Sequence, residues 1–284
     1  MKIVPYANNQ GVRIHYEVEG DGTPLVLLHG LADSYEMWSV SGYVESLKNE
    51  YRLILIDARG HGDSDKPHDP EAYTVRLMVD DFVAVLDDLK ISKAHLLGYS
   101  AGGRMSFGIA KYSPQRFHSL IIGGMHPYAI SKEYVTTLLA ASRNATHALA
   151  SDLLDASAKE ALMKQLLGPI AVKIPEWRAY AQNVLPTNDW EALTALVSGD
   201  WGRSFDDVLP TMAMPVLLFD GEADLFCTGA KECAKSIPNA TFVSFPELDH
   251  VGALARKDLV LPHITKFLEK VSQQEDEVRY RTLP

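Results

Sequence analysis

Six short and almost wholly apolar runs punctuate this chain of 284 residues: PLVLLHG, YRLILIDARG, AHLLGYS, HSLIIGG, MPVLLFDGEAD and ATFVSFPELDH. Most are separated by stretches with helical spacing, among them 35–48, 74–90 and 101–112. A strand that is apolar on both faces must be covered on both faces, and its return to a parallel neighbour needs a crossover helix. The alternation therefore predicts an α/β fold, a mostly parallel central sheet with helices on both sides. Val12 to Glu19 reads differently. Val12, Ile14, Tyr16 and Val18 share one face at period two, which suits an exposed antiparallel edge strand.

Between about 127 and 205 the strand-like runs stop and helical patterns follow one another: Ser131 to Ala141, Ala145 to Leu154, Ala158 to Leu167, Glu176 to Val184 and Asp189 to Val197, with Pro169, Pro175 and Pro186 at the breaks. This reads as a helical cap inserted after a core strand, with residues 1–126 and 206–284 forming the core. A last helix covers Val251 to Lys270, and the polar tail from Ser272 is expected to fray.

The formal net charge is −10, from 37 acidic and 27 basic side chains. Nucleic acid and anionic membranes require a concentrated positive surface, so neither is an expected partner. No segment approaches the roughly 18 apolar residues of a membrane span, and the first residues lack a signal-peptide run, so a cytoplasmic location is expected. The two cysteines, Cys227 and Cys233, match no zinc spacing and are too few for a disulfide framework; they read as partly buried thiols. Oligomeric state has no signature in the sequence.

One stretch carries chemistry. In HLLGYSAGGRMSF (95–107) an apolar run breaks at Ser100, fenced by Gly98, Gly102 and Gly103, and a helical pattern follows. Strand, sharp turn and helix are implied, with glycine where backbone approaches too closely for a Cβ. GYSAGG resembles the G-x-S-x-G nucleophile elbow of the α/β-hydrolases. LLHGL (27–31) resembles that family's HG segment, which implies Leu31 as one backbone N–H of an oxyanion hole and Ala101 as the other. DARGHGDSDKP (57–67) resembles a family loop in which Asp57, Arg59, His61 and Ser64 are expected to be structural, which sets His61 aside as a base.

A serine hydroxyl needs a base, and the base an orienting acid. The family's order of serine, acid and histidine points to Asp224 in DGEAD and His250 in LDHVG, with Asp220 as the competing acid and Asp249 and Glu222 behind it. Candidate pocket residues are Trp38, His126, Trp177, Trp190 and Trp201. The resemblance implies no metal or organic cofactor. It implies a serine hydrolase that cleaves a small-molecule carboxylic ester or lactone through an acyl-enzyme. The long cap favours a bulky apolar ester, and a weaker resemblance to serine macrolide esterases makes a macrocyclic lactone the boldest expectation. A small-substrate carboxylesterase or enol-lactonase is the alternative; a C–C bond hydrolase, a perhydrolase or a non-turnover receptor of the same fold also stays open.

Overall fold

The computed structural model describes residues 5–151 and 153–281. Eight strands form one sheet in the order β1-β2-β4-β3-β5-β6-β7-β8. They are β1 (Tyr6–Asn9), β2 (Val12–Glu19), β3 (Thr23–Leu28), β4 (Tyr51–Ile56), β5 (Ala94–Tyr99), β6 (Phe117–Gly123), β7 (Val216–Gly221) and β8 (Ala240–Phe245). From β4 to β8 every pairing is parallel, and β2 joins β4 antiparallel. β2 is not the edge: the polar YANN segment, which has no strand pattern, pairs with it antiparallel as β1.

Successive side chains of a strand point to opposite faces, and this divides the core into two layers. Val26, Leu28, Ile54, Leu96 and Ile122 face helices α3 (Val75–Asp88) and α4 (Ala101–Tyr112). Their neighbours Leu25, Leu27, Leu53, Leu97 and Ile121 face α1 (Glu36–Val40), α2 (Tyr43–Leu47) and α11 (Lys257–Arg281). The polar tail after Ser272 continues α11 instead of fraying. No helix among the described residues is long and apolar enough to cross a membrane.

Four α-helices lie between β6 and β7 among the described residues: α5 (Lys132–Ala150), α6 (Ala156–Ala171), α7 (Pro175–Asn183) and α8 (Trp190–Ser198). The two helices expected over 131–154 are one, because Ser142, Arg143 and Asn144 contain no breaker to stop α5. α6 passes through Pro169 with a kink at Gly168, whose φ of 73° only glycine adopts cheaply. Both ends of this segment are tied to α4 by one fully buried guanidinium. Arg104 donates through Nε to the carbonyl of Trp201 (2.6 Å), through Nη1 to those of His126 (3.2 Å) and Tyr128 (3.1 Å), and through Nη2 to that of Arg203. α9 (Cys227–Ala234) and α10 (His250–Ala255) follow β7 and β8, and both cysteines are buried free thiols.

Candidate active site

Ser100 stands between β5 and α4 with φ 55° and ψ −113°, a left-handed conformation rare for a residue with a side chain. The backbone around it is crowded enough to explain the flanking glycines. A Cβ on Gly98 would lie 2.3 Å from the carbonyl oxygen of Gly102, and one on Gly102 would lie 2.1 Å from that of Leu28. The turn lifts the hydroxyl to the carboxyl ends of the strands, where open α/β sheets bind ligands. Leu31 lines the same pocket as Ser100, and Ala101 follows it as the first residue of α4; neither backbone N–H takes a hydrogen-bond partner among the described residues. At the helix N-terminus that second amide adds the positive end of a macrodipole.

The strand ends bring two more side chains to the serine. His250, the first residue of α10, places Nε2 2.9 Å from Ser100 Oγ. Its Nδ1 lies 2.5 Å from Oδ2 of Asp224, in the turn after β7. A carboxylate only accepts, so Nδ1 carries the proton and Nε2 is left to accept from the serine hydroxyl. The imidazole is held from behind as well: Tyr99 Oη donates to the carbonyl of His250 (2.5 Å), and Asp249 caps α10 by accepting from the Gly252 N–H (2.7 Å). Burial raises the Asp224 carboxyl, but the hydrogen bond and charge of His250 outweigh it and hold the group below its ordinary value. Asp220 takes no bond to His250. It is wholly buried at the end of β7, its Oδ1 accepts from the Gly221 N–H (2.8 Å), and burial next to the Asp224 carboxylate pushes it up to about 9.

Two apolar lobes meet at Ser100 and His250. The first, about 230 Å³, runs under α5, α6, α7 and α8 and is lined by Trp177 and Trp190; the second, about 270 Å³, opens toward α9 and is lined by Trp201. Leu31 and Leu138 border both lobes. Two sequence candidates lie elsewhere. Trp38 is fully buried in the layer under the sheet, edge-on to Tyr43 at 5.5 Å, because α1 turns it inward; it lines neither lobe. His126 also lines neither. Its ring fits where Gly229 has no side chain and meets Phe226 edge-on (5.4 Å), and it is Phe226 that reaches His250 (5.6 Å). The sequence reading missed Phe226, Leu138, Tyr180 and Asp33, all lobe residues. Asp33 alone had a signal, since it sits two residues after Leu31 in HGLAD.

A family model described as alpha/beta hydrolase fold matches residues 23–254. The chain belongs to the α/β-hydrolase family. This α/β-hydrolase is similar to the enol-lactonase of Burkholderia xenovorans, with a TM-score of 0.76 and 24% identity over 93% of this chain and 100% of that one. It is 26% identical over 277 residues to a Bacillus subtilis protein provisionally named 2-succinyl-6-hydroxy-2,4-cyclohexadiene-1-carboxylate synthase, covering 93% of this chain and 97% of the relative. Mouse epoxide hydrolase 4 is 33% identical over 129 residues, 45% of this chain and 35% of its own. The chain thus spans about a third of the length of that epoxide hydrolase.

In this α/β-hydrolase the loop after β4 is bonded within itself and to β2 and α3. Arg59 forms a bidentate pair with Asp81 (2.6 Å for each bond), and Ser64 Oγ donates to the carbonyl of Asp57 (2.6 Å). His61 is buried and pushed down to about 3, chiefly by burial and then by neighbouring His29, so it stays neutral. His15, Asp57 and Asp63 lie close enough to share an ion. The Asp57 oxygens are already engaged, by His15 Nδ1 (2.7 Å) and by the N–H groups of Asp63 (2.9 Å) and Tyr35 (2.8 Å), as in a structural knot.

Proposed function

We propose that this α/β-hydrolase is a serine hydrolase that cleaves a carboxylic ester or lactone through an acyl-enzyme, with Ser100 as nucleophile, His250 as base and Asp224 as orienting acid. The observation that carries it is the unbroken line from Asp224 Oδ2 through His250 to Ser100 Oγ, at 2.5 and 2.9 Å, opening on apolar lobes. Ser100 Oγ attacks the carbonyl carbon while its proton passes to Nε2, and Asp224 stabilises the imidazolium. The Leu31 and Ala101 N–H groups receive the oxyanion. On collapse, Nε2 returns the proton to the departing alkoxide. Water, deprotonated in turn by His250, then releases the acid and regenerates the serine.

Serine at the elbow argues against the chemistry named for the epoxide hydrolase relatives, which in this superfamily depends on aspartate. The carboxylate in the synthase relative's name would find no partner, because no arginine or lysine lines either lobe among the described residues. Each lobe alone lies below the roughly 300–1,000 Å³ of typical ligand pockets, and the two together fall within it. That favours a bulky ester with two apolar arms, a macrocyclic lactone being its most demanding form, over a short ester seated in one lobe.

A fluorophosphonate should label Ser100, and Ser100→Ala should lose on the order of 10⁴-fold or more of ester turnover with an unchanged melting temperature. An unlabelled but fully active protein refutes the assignment. kcat/KM across short aryl esters, a small enol-lactone, a two-armed apolar ester and a sixteen-membered macrolactone tests size. Efficient turnover of only the small members would leave the serine chemistry standing and remove the bulky substrate.

A further inference from the structure

Asp33, in the loop between β3 and α1, is the one carboxyl lining the first lobe among the described residues. Its surroundings give its two oxygens different tasks. Tyr180 Oη accepts from the Ser34 N–H (3.0 Å), lies 3.5 Å from Ser34 Oγ, and donates to Asp33 Oδ1 (3.3 Å). With Oδ1 accepting from the phenol, Oδ2 is the oxygen left free to carry the proton of the neutral carboxyl.

Oδ2 takes no hydrogen bond among the described residues. It lies over Gly30: a Cβ built there would stand 2.6 Å from Oδ2 and 3.5 Å from Cβ of Ser100. The carboxyl and the reacting serine thus share the space of one missing side chain. Burial is the largest influence on Asp33 and pushes it up to about 7, against the opposing pulls of Tyr180 and His250. The titratable groups facing the lobe are Tyr180 from α7, Tyr99 from the end of β5 and His250 from α10; α5 and α6 contribute apolar and hydroxyl side chains and α8 the indole of Trp190. A carboxyl kept neutral in an apolar site is a strong hydrogen-bond donor.

We propose that Asp33 determines specificity, its carboxyl O–H donating through Oδ2 to an oxygen that the substrate carries close to the scissile carbonyl, so that esters with a hydroxyl, ether or second carbonyl there are selected over purely aliphatic ones. The proposal rests on the serine hydrolase reading. Asp33 is half-buried beside the serine, and a site that bonds a substrate oxygen discriminates against the analogue lacking it, because its own donor then loses that partner.

The test uses matched esters in which one methylene near the carbonyl is replaced by an ether oxygen, in the acyl arm and separately in the alcohol arm. The quantity read is the ratio of kcat/KM, ether over alkyl, which is internal to each variant and so does not respond to a general loss of folded enzyme. For one arm of the wild type it should reach about tenfold near pH 6 and fall toward one near pH 8.5, as the carboxyl loses its proton. Asp33→Asn keeps a donor and should hold a ratio that no longer varies with pH. Asp33→Leu should bring it to about one at both pH values. A ratio near one in the wild type, a ratio untouched in Asp33→Leu, or a preference for an ammonium in place of the ether that grows with pH would each overturn the proposal. If a fluorophosphonate also fails to label Ser100, the serine reading falls first; labelling without ether preference removes Asp33 alone.

Discussion

Asp220 lies at the end of strand β7 and Asp224 four residues on, in the turn that follows, and their surroundings send them in opposite directions. Asp224 is held ionised by His250, while Asp220 is pushed to about 9 and carries its proton at neutral pH. Asp224→Asn should therefore lower turnover on the order of 10⁴-fold, because the imidazole loses the partner that sets its tautomer. Asp220→Asn should act on stability instead. Its folded value lies above the unfolded value near 3.8, so between these limits the folded protein binds the extra proton and stability falls as pH rises. Urea midpoints measured from about pH 5 to pH 9 should decline less in Asp220→Asn than in the wild type; parallel declines would contradict the assignment. At this scale the sequence was most legible where backbone demands a residue type. GYSAGG announces a turn that tolerates little else, whereas the meaning of Asp33 depends on Tyr180, 147 residues later. Nothing local could distinguish Trp38, turned into the core, from Trp177, turned toward the lobe.

Among the elements, the buried strands were readable because apolarity on both faces leaves few other assignments. β1 was not, since YANN owes its strand conformation to β2 and not to its own composition. α5 was cut in two by a polar stretch that a partly exposed helix carries without difficulty. The join between the α5–α8 segment and the sheet was invisible for the same kind of reason: Arg104 looks like an ordinary helix residue until four carbonyls from two distant segments close on it. Burial lowers its guanidinium to about 10, and no carboxylate among the described residues offsets the charge. Arg104→Met would leave those carbonyls unpaired and should cost about 3 kcal/mol in urea unfolding. Arg104→Lys, with a point charge in place of a planar fork, should recover only part of it. A loss within about 0.5 kcal/mol for Arg104→Met would show that the tie is idle.

For the whole molecule, a net charge of −10 and lobes that carry no arginine or lysine among the described residues act in the same direction. An ester bearing a remote carboxylate should show a lower kcat/KM than its neutral isostere, and the deficit should shrink as salt screens the field. Equal rates at low ionic strength would remove the electrostatic argument. The topology has a further consequence. The helical segment leaves from β6 and returns to β7, which are neighbours in the sheet, and a single guanidinium gathers both of its ends. Its points of departure and arrival would stay side by side if the helices were replaced by others or by a short turn. The chain is organised like a tool with a fixed drive and an exchangeable head, and a lineage can refit the head without disturbing the line from Asp224 to Ser100.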